Sequence, residues 1–281
     1  MNKSRKAPTK RTRNTATSST RRRTRKPRQQ SLLSPLTTRW RKAKRTLRRW
    51  LPWLIVLIVA IFAAKPVISH CTRQEPPRTR HKGYDGIDVS KHNGRINWKT
   101  VARDKNIKFV YIKATEGASV VDKRYKKNLR EARAAGLKVG SYHFFRGYKS
   151  AKEQFALFSK HVKKSEQDLL PMVDVEQAGN SQLSRQRLQK ELRQFMELCK
   201  KHYGRYPLLY SQYRFYNEKL APEFNRHLIF IARYGTAKPT LRGGARYNIW
   251  QYSERGKVAG INGYVDLDRF ANGTTLRDIY F

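Results

Sequence analysis

"LLPMVDVE", Leu169 to Glu176, is a short apolar run that ends on two acids two positions apart. Its residue types predict a buried β-strand. Positions i and i+2 of a strand share a face, so Asp174 and Glu176 are expected side by side, with Val173 and Val175 turned the other way. Adjacent carboxylates repel, and partial burial adds to that effect. One member of such a pair keeps its proton near neutral pH while the other stays ionised, the starting condition of an acid/base pair. Taken alone, the same pattern also fits a surface strand with two solvated acids, so its neighbours have to decide.

Moving outward, seven more runs have the same texture: Tyr84–Ser90, Phe109–Gly117, Leu137–Phe145, Pro207–Ser211, His227–Tyr234, Tyr247–Ser253 and Val265–Phe270. Helical patterns fall between several of them, over Trp98–Asn106, Asp122–Gly136, Ser150–Val162 and Ser184–Tyr203, with Gly136 and Gly204 placed as stops. Strands alternating with helices predict an α/β fold built on a mostly parallel sheet, and eight strands within about 200 residues predict a compact (β/α) TIM-like barrel. The last three strands leave little room for helices, so the barrel is expected to be irregular.

In such barrels the site lies at the C-terminal ends of the strands. Asp88, Glu116, Asp174, Glu176 and Asp266 all fall at predicted strand ends, as do Tyr142, His143, Tyr210, Trp250, Gln251 and Tyr252. A mouth of carboxylates and aromatic rings suits carbohydrate. Rings stack on the apolar faces of sugars, while carboxylates protonate a leaving oxygen and stabilise an oxocarbenium-like centre.

The charge is unevenly spread. Residues 1 to 50 hold 19 of the 62 Lys and Arg and none of the 20 Asp and Glu. With so little apolar content, residues 1–49 are expected to be a disordered basic tail. Leu51 to Ala64 is an uncharged apolar run of 14 residues, with Trp50 and Trp53 at its start and Lys65 just after its end. It predicts a transmembrane or signal-anchor helix over 50–69, with the basic tail in the cytoplasm and the rest exported. A signal peptide cleaved near Ala63 or Ser69 is the alternative. A Pro- and charge-rich linker over 70–82 then leads to a barrel over 83–281. The basic tail by itself would suit nucleic acid, but an exported barrel leaves that partner unexplained. The two cysteines, Cys71 and Cys199, form no metal-ligand or redox motif, and Cys199 lies on the apolar stripe Leu188, Leu192, Phe195, Met196 of a predicted helix. No cofactor or metal is expected.

Residues from Tyr84 onward resemble a known family. "GIDVSKHNG" (Gly86–Gly94) followed by "INW", "YIKATEG" (Tyr111–Gly117), "GSYHFF" (Gly140–Phe145), "PMVDVE", Tyr210–Ser211, "WQYS" (Trp250–Ser253) and "VDLDRF" (Val265–Phe270) occur in the order and at the spacing of the Chalaropsis-type lysozymes, glycoside hydrolase family 25. The resemblance implies a muramidase acting on peptidoglycan glycan strands, at the β-1,4 bond between N-acetylmuramic acid and N-acetylglucosamine; a monomer is expected. It implies Glu176 as general acid and Asp174 as the group that orients the substrate's 2-acetamido oxygen, with Asp88 and Asp266 as further active-site acids. Glu116, Tyr142, Tyr210, Trp250 and Tyr252 are expected to bind substrate. Attack by the acetamido oxygen and inversion by an activated water both stay open. Against these readings, Glu116 could simply pair with Lys113, Trp250 and Tyr252 could be core aromatics, and His143 a packed residue. Asp268 is set outside the site, as an ion-pair partner of Arg269. A catalytically inactive peptidoglycan-binding barrel is the alternative function.

Overall fold

A computed structural model of the chain describes residues 83–281. The tail, apolar helix and linker expected over 1–49, 50–69 and 70–82 lie outside the described residues. Within 83–281, no helix is long and apolar enough to cross a membrane.

Eight strands close into a barrel: β1 (Gly86–Val89), β2 (Phe109–Glu116), β4 (Val139–Phe144), β5 (Met172–Asp174), β6 (Leu208–Gln212), β7 (Ile229–Ala232), β8 (Ile249–Gly256) and β9 (Val265–Phe270), with β3 (Val120–Val121) folded back on the end of β2. Closure comes from the parallel pairing of β1 with β2. Pairing is parallel from β1 through β8, but β9 runs antiparallel to both β8 and β1. The reason is the length of the connection. A parallel return needs a crossover of a dozen or more residues, and residues 257–264 allow only a hairpin.

Helices α1 (Trp98–Val101), α2 (Tyr125–Ala134), α3 (Ala151–His161) and α4 (Arg185–Tyr203) lie outside the barrel. Helix α4 starts on Ser184, whose hydroxyl accepts from the Arg187 amide, and ends on Gly204, left-handed at φ 88°. Helix α1 is shorter than the expected Trp98–Asn106. The Asp104 carboxylate accepts from the Asn106 amide at 3.0 Å, a local turn that competes with further helix.

Strand alternation divides the core in two. Outward residues such as Val110, Ile112, Val173 and Val175 pack under the helices with Phe145, Phe158, Phe195 and Met196. Cys199 is buried in that layer. Inward residues Phe109, Tyr111, Met172, Leu208, Tyr210, Phe230 and Ile249 fill the barrel. Gly86 makes this filling possible, since a Cβ there would stand 2.3 Å from the Phe109 ring. The aromatic floor stops short of the strand ends, where the inward positions become acids.

Candidate active site

Asp88 on β1 and Asp266 on β9 are register partners. The antiparallel direction of β9 brings its first residues, not its last, to the mouth, so Asp266 meets Asp88 there. Asp174 closes β5 and Glu176 follows two residues on; both Asp88 and Asp174 are buried. Burial pushes the Asp88 carboxyl well up, Asp266 and Glu176 push it further, and a hydrogen bond from Gln251 opposes them. Asp174 is raised well above its usual range by burial and then by repulsion from Glu176. Glu176 is also raised by burial, against the stabilising influence of the neighbouring Tyr210 hydroxyl and attraction to Lys113 and Arg146. The Asp174/Glu176 pair therefore holds a proton well above the ordinary carboxylate range. Asp266 is pushed up to about 7 by burial, then by Glu254 and Glu176.

Glu116 differs from these four. Burial would raise it, but Lys113 at 2.7 Å and Arg146 at 2.5 Å hold it down at about 2. The pairing with Lys113 weighed from sequence is thus present, and Arg146 joins it. Both cations also lie over the Phe144 ring, at 4.4 and 4.6 Å. Gly179 leaves room for this clamp: a Cβ there would stand 1.8 Å from Arg146 Nη1.

Of the expected sugar-binding rings, Tyr142 and Tyr210 lie in the barrel interior, and the acids raise the pKa of both hydroxyls after burial does. Trp250 and Tyr252 do not join them. They belong to the buried layer beneath the helices, on the face of β8 opposite Gln251, because alternation along the strand turns them outward. Trp250 Nε1 donates to the Arg233 carbonyl at 2.7 Å, and the Arg269 guanidinium stacks on Tyr252 at 3.7 Å. They are packing aromatics. His143 likewise faces outward, stacked on Phe195, between the Thr115 hydroxyl and Gln154 Oε1, and burial lowers it to about 4.

Two functional neighbours were not assigned from sequence. Asp268 was expected to pair with Arg269, but alternation sends Arg269 outward onto Tyr252 and Asp268 into the barrel. There it is fully buried, neither carboxyl oxygen has a hydrogen-bond partner, and burial, then Asp88 and Asp266, raises its pKa well above normal. Its two-residue spacing from Asp266 was the available signal. Gln251 is the other. Its Oε1 accepts from Tyr210 at 2.9 Å and from Tyr234 at 3.1 Å, and its Nε2 donates to Asp88 at 2.6 Å.

A barrel mouth floored by aromatic rings, with five carboxyls shifted upward and a sixth clamped as an anion, is the site of a sugar-cleaving hydrolase. The chain belongs to glycosyl hydrolases family 25, whose family model matches residues 87–261, and it is accordingly a glycoside hydrolase. It is 39% identical over 217 residues to the uncharacterized protein YegX of Escherichia coli K12, covering 76% of this chain and 77% of that one. It is 30% identical over 208 residues to lysozyme M1 of Streptomyces globisporus, covering 69% and 70% of the two chains. Among solved structures, a family 25 glycosyl hydrolase from Bacillus anthracis superposes with a TM-score of 0.64 at 32% identity, over 70% of this chain and 94% of the other.

Proposed function

We propose that this protein is a muramidase that cleaves the β-1,4 bond between N-acetylmuramic acid and N-acetylglucosamine in peptidoglycan. The observation that carries the reading is the gathering of Asp88, Asp174, Glu176 and Asp266 at one barrel mouth, where each raises or is raised by its neighbours. Its similarity to lysozyme M1 supports the choice of substrate. Glu176 is the general acid, since a carboxyl with a raised pKa still carries a proton for the leaving oxygen near neutral pH. Asp174 directs the 2-acetamido oxygen of the substrate towards the anomeric carbon. Asp88 and Asp266 line the same mouth and bear on the charge that develops at the sugar. Glu116, held by Lys113 and Arg146, is a fixed anion suited to accepting hydrogen bonds from substrate rather than to proton transfer.

The enzyme works outside the cytoplasm, held by the apolar segment over residues 50–69. Its basic surface favours the approach to anionic envelope polymers.

Full-length protein incubated with purified peptidoglycan releases soluble muropeptides with new reducing ends at N-acetylmuramic acid, and Glu176→Gln releases them at least about 10²-fold more slowly. Glycan binding without release by the unmodified protein would favour the inactive binding barrel instead.

A further inference from the structure

Gln251 is 2% exposed and stands in the wall between the acids and the rim. Three hydrogen bonds define it. Hydroxyls of Tyr210, on β6, and Tyr234, just after β7, donate to Oε1, and Nε2 donates to Asp88 Oδ2 at 2.6 Å, the shortest of the three. Two hydroxyl donors on Oε1 fix the orientation of the amide, so its N–H faces Asp88. Tyr234 is exposed by 45% of its surface, so one end of this chain of contacts opens to the rim while the other ends on the buried Asp88 carboxyl.

The other acids around Asp88 oppose its ionisation. Asp266 and Asp268 bear on it from β9, and Glu176 and Asp174 from β5 and its extension. The hydroxyls of Tyr142, Tyr210 and Tyr234 lie within the same field. The Gln251 amide is the group that hydrogen-bonds to the charged form.

We propose that Gln251 is a positioning residue that orients the Asp88 carboxyl and favours its ionised form, with Tyr234 as the rim contact through which an occupying sugar steadies the amide. The proposal rests on the muramidase reading for its link to turnover, but not for its link to Asp88. With Oδ2 committed to Gln251, Oδ1 is left to face substrate. A sugar lying on the exposed Tyr234 ring would restrict the phenol and so sharpen the hydrogen bond that aligns the amide.

The test compares Gln251→Met, which keeps the volume and removes both hydrogen-bonding ends, with Tyr234→Phe, which removes one hydroxyl from an exposed ring. Carbon-13 NMR titration of the Asp88 carboxyl in the full-length protein is the direct readout. Gln251→Met moves the midpoint up by about one pH unit, the scale of a lost hydrogen bond to a charged group. Tyr234→Phe moves it the same way by about half as much. On peptidoglycan, the acidic limb of kcat/KM moves up in step, a shift that a residue serving only to fill space does not produce. An Asp88 midpoint that stays in place in both folded variants overturns the proposal; if Gln251→Met fails to fold, Tyr234→Phe decides by the same sign. Because the titration needs no substrate, it decides the role of Gln251 even if the protein cleaves no glycan.

Discussion

Asp88 and Asp266 face each other across the antiparallel β1–β9 ladder, joining two acids 178 positions apart in the chain. Had β9 run parallel, Asp266 would lie at the closed end of the barrel, on the aromatic floor. The reversal of one strand, imposed by a hairpin too short for a crossover, is what completes the acid cluster.

Loss of the general acid is the most direct expectation. Glu176→Gln should lower kcat on peptidoglycan by about 10²- to 10⁴-fold with the fold intact. Activity of the unmodified enzyme should decline as pH rises and Glu176 loses its proton, since its pKa is raised rather than lowered. Muropeptide release measured from pH 4 to 9 checks both; a rate still climbing at pH 9 would remove Glu176 from this role.

The buried acids also make stability depend on pH. A carboxyl whose pKa is raised on folding binds more protons folded than unfolded. Its contribution is whole below the ordinary carboxylate range and is lost as pH climbs through the folded value. For Asp266 that window runs from about 4 to about 7. Asp268, raised well above normal and without a partner, acts in the same direction. Asp268→Asn should therefore leave Tm at pH 3 nearly unchanged and raise it at pH 8 by at least about 2 °C. An equal shift at both pH values would contradict this assignment.

Glu116 has the opposite sign. Its folded pKa, about 2, lies below that of the unfolded chain, so its ion pairs contribute above the ordinary range and are lost as pH falls towards 2. Glu116→Gln should raise KM more than it lowers kcat, the reverse of Glu176→Gln. Gly179→Ala should disturb the same clamp from behind, because its Cβ meets Arg146 and its φ of 80° disfavours a side chain. Steady-state kinetics on soluble peptidoglycan fragments would show whether KM responds in both variants.

Phe195 joins the barrel to α3 and α4: it stacks on His143 at 4.9 Å and packs edge-on to Phe145 and Phe155. Phe195→Ala should cost about 3–5 kcal/mol. Urea unfolding of the two proteins measures it, and a loss under about 1 kcal/mol would mean that the helix layer contributes far less than its burial suggests.

The proposed anchor predicts an orientation. In spheroplasts, added protease should digest residues 83–281 and spare the basic tail, and carbonate should leave the protein with the membrane. Protection of the barrel until the membrane is lysed would refute export.

Much of this molecule is legible in one dimension. Apolar runs at strand length, Ser184 and Gly204 at the ends of α4, and the two-residue spacing of Asp174 and Glu176 are local patterns, because strand and helix periodicity act over a few residues. Eight strand runs and the shortage of helices near the end foretold a closed but irregular barrel. What only the tertiary structure decided depends on direction and register. β9 runs backwards, Trp250 and Tyr252 turn away from the mouth while Gln251 turns in, and Asp268 points inward instead of meeting Arg269. A one-residue difference in phase exchanges the two faces of a strand, and burial then determines whether a carboxyl is raised, as at Asp266, or clamped, as at Glu116. Those outcomes come from contacts between strands distant in sequence, so residue identity alone could name the acids but not their states.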